Sequence, residues 1–118
     1  MILDRICAII PAYNEEPRIA RVVVAAVPHC GAVLVVDDGS ADDTSGVAAR
    51  AGARVIIHEM NRGKGRALET GLAWARENGF LAAVTLDADG QHDPEEIPRF
   101  EACFESTGAD IVVGTRMP

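Results

Sequence analysis

The chain has 118 residues, of which 48% are hydrophobic and 25% charged, and its formal net charge is −7. That length holds a single domain, residues 1–118, with a buried core, and that composition excludes a disordered chain. The acidic balance argues against nonspecific nucleic-acid binding, which is driven by neutralising phosphates. It leaves room for a small anionic ligand held by a few cations or by a metal.

In chain order, short apolar runs alternate with helical patterns. "ICAIIPA" (6–12) reads as a buried strand, and "EPRIARVVVAAV" (16–27) reads as a helix with Pro17 suited to its first turn. "AVLVVD" (32–37) is a second strand. Ser40 and Asp43 form the pattern of a capping box for a helix over 41–50, which Gly52 ends. "RVIIH" (54–58) is a third strand. Residues 64–78 place Ala67, Leu68, Gly71, Leu72 and Ala75 on one helical face, with Gly79 as the stop. "LAAVTL" (81–86) is a fourth strand. Asp93 reads as the N-cap of a helix running to about Thr107, and "DIVVG" (110–114) is a fifth strand.

The expected fold class is therefore α/β, a Rossmann-like, mostly parallel sheet with helices on both faces. Continuous apolar strands suit such a doubly covered sheet. The sequence stops at Pro118, just after a strand, which predicts the first part of a longer protein. Cys7, Cys30 and Cys103 are odd in number, widely spaced and free of any C-x-x-C pair. Neither a disulfide framework nor a zinc site is expected, and a reducing cytoplasm fits. The N-terminus, charged at Asp4 and Arg5, lacks a secretory signal pattern, and no apolar segment reaches the ~20 residues that cross a bilayer.

In a parallel sheet of this kind, ligands bind beyond the carboxyl ends of the strands. The segments that follow the five expected strands are "PAYNEE", "DDGS", "HEMNRGKG", "DADGQHD" and "GTRMP". The polar and glycine-rich residues thus gather at one edge. Residues 83–96 hold Asp87, Asp89, Asp93, Glu95 and Glu96 with no Lys or Arg. Crowded carboxylates resist ionisation unless a cation joins them. Asp87 and Asp89 sit where a strand gives way to loop, and Gln91 adds a neutral oxygen. This donor set suits Mg²⁺ or Mn²⁺, which also binds substrate phosphates. The plain alternative is helix capping, which fits Asp93 but not the earlier pair. An EF-hand needs Gly at the sixth loop position, whereas Gly90 is fourth.

"NRGKGRA" (61–67) packs Arg62, Lys64 and Arg66 around Gly63 and Gly65 at the start of a helix. That arrangement favours a phosphate, although a solvated basic helix start explains it as well. Neither P-loop nor dinucleotide spacing is present. Tyr13 offers a ring face to a nucleobase, and Asp37 or Asp38 offers acceptors to base N–H groups or ribose hydroxyls. Taken singly, the bland readings are as good: Tyr13 as packing, Asn14 and Glu15 as caps, Asp-Gly as a turn.

Taken together, "PAYNEE", "VVDDGSADDT", "NRGKGRALETGL", "LDADGQHDPEEI" and "GTRM" resemble glycosyltransferase family 2. Within it they look most like the branch of dolichyl-phosphate mannose synthases and related polyprenyl-phosphate glycosyltransferases. The resemblance covers residues 6–118 and implies a GT-A fold. It implies an inverting transferase that uses a nucleotide-diphosphate sugar, of GDP-mannose or UDP-glucose type, with Mg²⁺ or Mn²⁺ and a polyprenyl-phosphate acceptor. The family's D-x-D motif matches Asp87-Ala88-Asp89, giving the catalytic, metal-bearing pair, with Ala88 beside the nucleotide and Gln91 on the metal side. Its nucleotide-binding positions match Pro11, Tyr13, Glu15, the backbone near Val36, and Asp38, with Lys64 in the G-K-G position and Arg116 near the diphosphate or acceptor. A lipid-phosphate acceptor would bring the protein to the inner face of the membrane as a peripheral enzyme. A homo-oligomer is compatible with the exposed surface left at the C-terminal end.

The sequence departs from the family by stopping before the acceptor-binding segments, where many members carry a catalytic base. One alternative is therefore a truncated module that binds nucleotide sugar without turnover. A second is a haloacid dehalogenase-type phosphatase, because "VTLDADGQ" fits h-h-h-D-x-D-G with Asp87 as nucleophile. That motif normally continues with Thr or Ser, and it leaves "PAYNEE" and "DDGS" unexplained.

Overall fold

The structure, a computed structural model, describes residues 5–88 and 113–115. Its strands are β1 (Ile6–Ala12), β2 (Ala32–Asp37), β3 (Arg54–Ile57), β4 (Ala82–Thr85) and β5 (Val113–Thr115). Its helices are α1 (Glu16–Ala26), α2 (Thr44–Ala51) and α3 (Lys64–Glu77), with a short 3-10 turn at Val27–His29. The strands form one sheet in the order β3-β2-β1-β4-β5, and every pairing is parallel. The helix expected from Asp93 to about Thr107 lies outside the described residues.

Strand pleating explains the two cores. Ile6, Ala8, Ile10 and Ala12 of β1 point to one face, where they pack with Ile19, Val22 and Val23 of α1 and Ala48 of α2. Cys7 and Ile9 point to the other, where they meet Leu34, Val36, Ala67 and Ala75 under α3. A strand buried on both faces must be apolar at every position, which is why β1 shows no alternation. α3 comes very close to β1, because Gly71 leaves no room for more: a Cβ there would stand 2.5 Å from Ile9 Cγ2.

The third expected strand, "RVIIH" (54–58), forms as β3 over Arg54–Ile57 at the edge of the sheet, and Ile57 is 60% exposed. One expectation needs correction. The capping box does not form. α2 starts at Thr44, and Asp43 occupies its N-cap without a side-chain cap bond. Ser40 is drawn elsewhere: its hydroxyl accepts the Asn14 N–H at 2.8 Å, and its own N–H donates to Asp37 Oδ1 at 2.9 Å.

Those bonds belong to a zip between the loops after β1 and β2. Ala41 N–H donates to Asn14 Oδ1, Asp43 N–H to Glu16 Oε1, and Glu15 N–H to Thr44 Oγ1, at 2.8–3.0 Å. Asn14 takes a left-handed conformation, φ 54°, to enter the zip. The chain leaves β1 toward β2 on one side, while β4 lies on its other side. The crevice beyond β1 and β4 is therefore the topological switch point of the sheet.

Candidate active site

A cleft of about 370 Å³ opens at this switch point. The end of β1 and its loop supply Pro11, Ala12, Tyr13 and Glu15; Asp38 follows β2, and Asp87 and Ala88 follow β4. Asn61, Gly63, Lys64 and Ala67 come from the loop and first turn of α3. Of the residues expected from sequence, Pro11, Tyr13, Glu15, Asp38, Lys64, Asp87 and Ala88 all line this cleft. The expectation at Val36 concerns its backbone; its side chain is fully buried in the core beneath α3. Asp89, Gln91 and Arg116 lie outside the described residues.

The acidic and basic clusters meet here. Lys64 Nζ lies 2.9 Å from Asp87 Oδ1. The lysine side chain is 65% exposed, so the pair contributes at most about 1 kcal/mol to stability. Its significance is chemical: a cation and a carboxylate share one cleft beside the N-terminal turn of a helix, where the backbone dipole also favours an anion. A divalent cation fits the Asp87 end by donor type, since hard cations take carboxylate oxygen. Among the described residues no three His, Cys, Asp or Glu side chains gather into a metal cluster.

Tyr13 is not packing, because half of it is exposed at the cleft. Asp37 turns back onto its own loop through Ser40. Asp38 is only 4% exposed, and its carboxylate is largely committed. Its Oδ1 accepts from Arg62 N–H at 2.9 Å and faces His58 Nδ1 at 2.8 Å; its Oδ2 accepts from Gly63 N–H at 2.8 Å. Burial works to raise the Asp38 pKa, but the bonds from His58, Arg62 and Gly63 outweigh it and hold the group below its ordinary value. A carboxylate offers about four acceptor positions, so a direct contact from Asp38 to base or ribose has one left.

Sequence reasoning missed Asn61 and His58. The first opens the same "NRGKG" run, and the second ends the third apolar run at the ligand edge, so position along the strand was an available signal. Cys7 and Cys30 play no part here. Burial pushes their thiols up to about 12 and about 11.

A sequence profile described as "Glycosyl transferase family 2" matches residues 7–118. The undecaprenyl-phosphate mannosyltransferase of Micrococcus luteus is 38% identical over 120 residues, covering 95% of this chain and 48% of that protein. The UDP-N-acetylglucosamine–dolichyl-phosphate N-acetylglucosaminyltransferase of Methanococcus voltae is 37% identical, covering 92% and 51%. Among solved structures, glucosyl-3-phosphoglycerate synthase from Mycobacterium tuberculosis, in complex with Mn²⁺, UDP and glucosyl-3-phosphoglycerate, superposes with a TM-score of 0.66 at 33% identity. That superposition covers 79% of this chain and 37% of that one. The chain spans about half the length of the curated relatives it matches. The match takes in "PAYNEE" and "DDGS" together with the Asp87 loop, which the phosphatase reading leaves unexplained.

Proposed function

We propose, on the premise that the chain belongs to glycosyl transferase family 2 and has its GT-A, Rossmann-like fold, that the cleft binds the nucleoside diphosphate of a sugar donor. The observation that carries this is the meeting of Lys64 and Asp87, 2.9 Å apart, in one cleft at the switch point. Tyr13 would stack on the base, Pro11, Glu15 and Ala88 would border the nucleotide, and Asp38 would use its remaining acceptor position. Lys64 and Arg116 would meet the diphosphate. Asp87, Asp89 and Gln91 would hold Mg²⁺ or Mn²⁺, which neutralises the charge that develops on a departing diphosphate. The solved neighbour's complex with Mn²⁺ and UDP supports this assignment.

The protein would transfer the sugar, with inversion, to a polyprenyl phosphate. The relatives from Micrococcus luteus and Methanococcus voltae are named for such acceptors. A phosphate acceptor oxygen is already anionic, so a strong general base is not required. Among the described residues no helix is long and apolar enough to cross a membrane. Cytoplasmic enzyme docked peripherally at the lipid surface is the reading that matches this acceptor.

Isothermal titration with GDP and UDP tests the assignment. We expect binding in Mn²⁺ or Mg²⁺ that collapses in excess chelator, and loss of the metal enhancement in Asp89→Ala. Equal affinity with and without chelator would remove the metal from the reading. No binding of either nucleotide would remove the donor.

A further inference from the structure

We propose that His58 is a positioning residue for the cleft: acting through Asp38, it locks the loop Asn61–Gly63 that presents Asn61, Gly63 and Lys64 to the ligand. What is presented rests on the donor reading above, whereas the lock itself does not.

The loop before α3 belongs to no strand or helix, its link to α3 being the Ala67 N–H on Gly63 O at 3.1 Å, and Asn61 and Arg62 are exposed. The bonds that tie it down are the Arg62 and Gly63 N–H groups on the two oxygens of Asp38. Both amides therefore depend on one carboxylate holding one rotamer. His58 supplies that constraint. It follows β3 directly, where its N–H donates to Asp37 O at 2.8 Å, and its ring is only 8% exposed.

Nδ1 lies 2.8 Å from Asp38 Oδ1, and Nε2 lies 2.9 Å from Thr70 Oγ1 on α3. Thr70 in turn donates to Arg66 O in its own helix at 3.0 Å. An ionised carboxylate only accepts, so Nδ1–H must be the donor to Asp38. The ring thus spans from the sheet to α3 and pins Asp38 between them. The fit is close on the far side too. Gly39, at φ +80°, lets the loop rest against it, since a Cβ there would stand 2.6 Å from Asn61 N and Met60 C. His58 does not line the cleft, so it acts through Asp38 and not on the ligand.

The test uses the 118-residue chain and two readouts. The first is amide hydrogen exchange at Arg62 and Gly63 without nucleotide, in the wild type, His58→Ala and His58→Asn. An Asn side-chain amide reaches roughly where Nδ1 stands, so it can restore the bond to Asp38 but not the bond to Thr70. Losing a hydrogen bond to a buried charge should speed exchange at both amides about tenfold in His58→Ala, with β1 amides still protected, and His58→Asn should recover most of it. The second readout is the dissociation constant for UDP and GDP in Mn²⁺, expected to rise about fivefold to tenfold in His58→Ala and to fall back in His58→Asn.

Unchanged exchange at Arg62 and Gly63 in a folded His58→Ala protein would overturn the lock, as would His58→Asn behaving like His58→Ala. Should His58→Ala fail to fold, Thr70→Val removes only the second anchor of the ring. It should loosen the same two amides by a few-fold, and no change there would also overturn the lock. A wild-type chain that binds neither nucleotide would defeat the donor reading alone, because the exchange readout needs no ligand.

Discussion

At position 38 a carboxylate is nearly closed off from water and still ionises readily, because His58 and two backbone amides point at it. The direction of its shift fixes a pH dependence. Its folded-state pKa lies below the ordinary 3.8, so between those values the unfolded chain binds more protons. The stability it contributes is whole above about pH 3.8 and is lost as pH falls through the lower, folded value. Asp42 shifts the same way, chiefly through the Thr44 hydroxyl, but its side chain is exposed. Thermal unfolding followed from neutral to acid pH should therefore fall more steeply for the wild type than for Asp38→Asn. Parallel curves would mean that the Asp38 network adds nothing to the folded state.

Glycines set how closely elements approach. Gly71 lets α3 settle on Ile9, and Gly39 lets the loop before α3 settle on the turn after β2. Both become Ala at a cost, but a different one. Gly71→Ala presses on a buried side chain, and overpacking of that kind costs typically 1–3 kcal/mol, offset in part by the better helix propensity of Ala. Gly39→Ala meets backbone, which cannot rotate away, at a positive φ that disfavours any side chain. It should displace Met60 and Asn61 and weaken nucleoside-diphosphate binding, whereas Gly71→Ala should lower the unfolding midpoint with little effect on binding. Titration and thermal unfolding of both variants check this, and the same profile from both would show that these two contacts are not separable. Helical periodicity had already placed Gly71 on the packed face of α3. The role of Gly39 was not legible as more than a turn, because its neighbour in space is 21 to 22 residues away in sequence.

For the whole molecule, the order β3-β2-β1-β4-β5 puts β1 at the centre with both faces covered. Cys7 lies on that strand, fully buried in the core under α3, and Cys30 packs against the core on the other face of the sheet. Burial pushes the two thiols up to about 12 and about 11, so at mildly alkaline pH the native protein holds almost no thiolate at either site. Alkylation at Cys7 should then proceed only through global unfolding. Mass spectrometry of labelled peptides should find Cys7 unreacted in buffer and fully reacted in concentrated guanidinium. Rapid labelling of Cys7 in buffer would show that the central strand opens without the rest of the sheet.

The sequence by itself determined the parallel α/β class, the strand positions to within a few residues and the edge at which polar residues collect. Each of these is local: apolar runs, helical periodicity and the residues that interrupt them act over neighbours in the chain. Tyr13, Asp38, Lys64 and Asp87 follow from the carboxyl ends of parallel strands all facing one way, whereas Pro11, Glu15 and Ala88 were expected only from the family resemblance. Tertiary structure alone decided that β3 is an edge, that Val36 is core, and that Ser40 joins the Asn14 loop instead of capping a helix. It also decided that Lys64 and Asp87, 23 residues apart, meet, and that Asp38 spends most of its acceptors on Arg62, Gly63 and His58. The reason is physical. A polar side chain takes whichever donor or acceptor folding brings within about 3 Å, and an identity string carries residue types but not that distance.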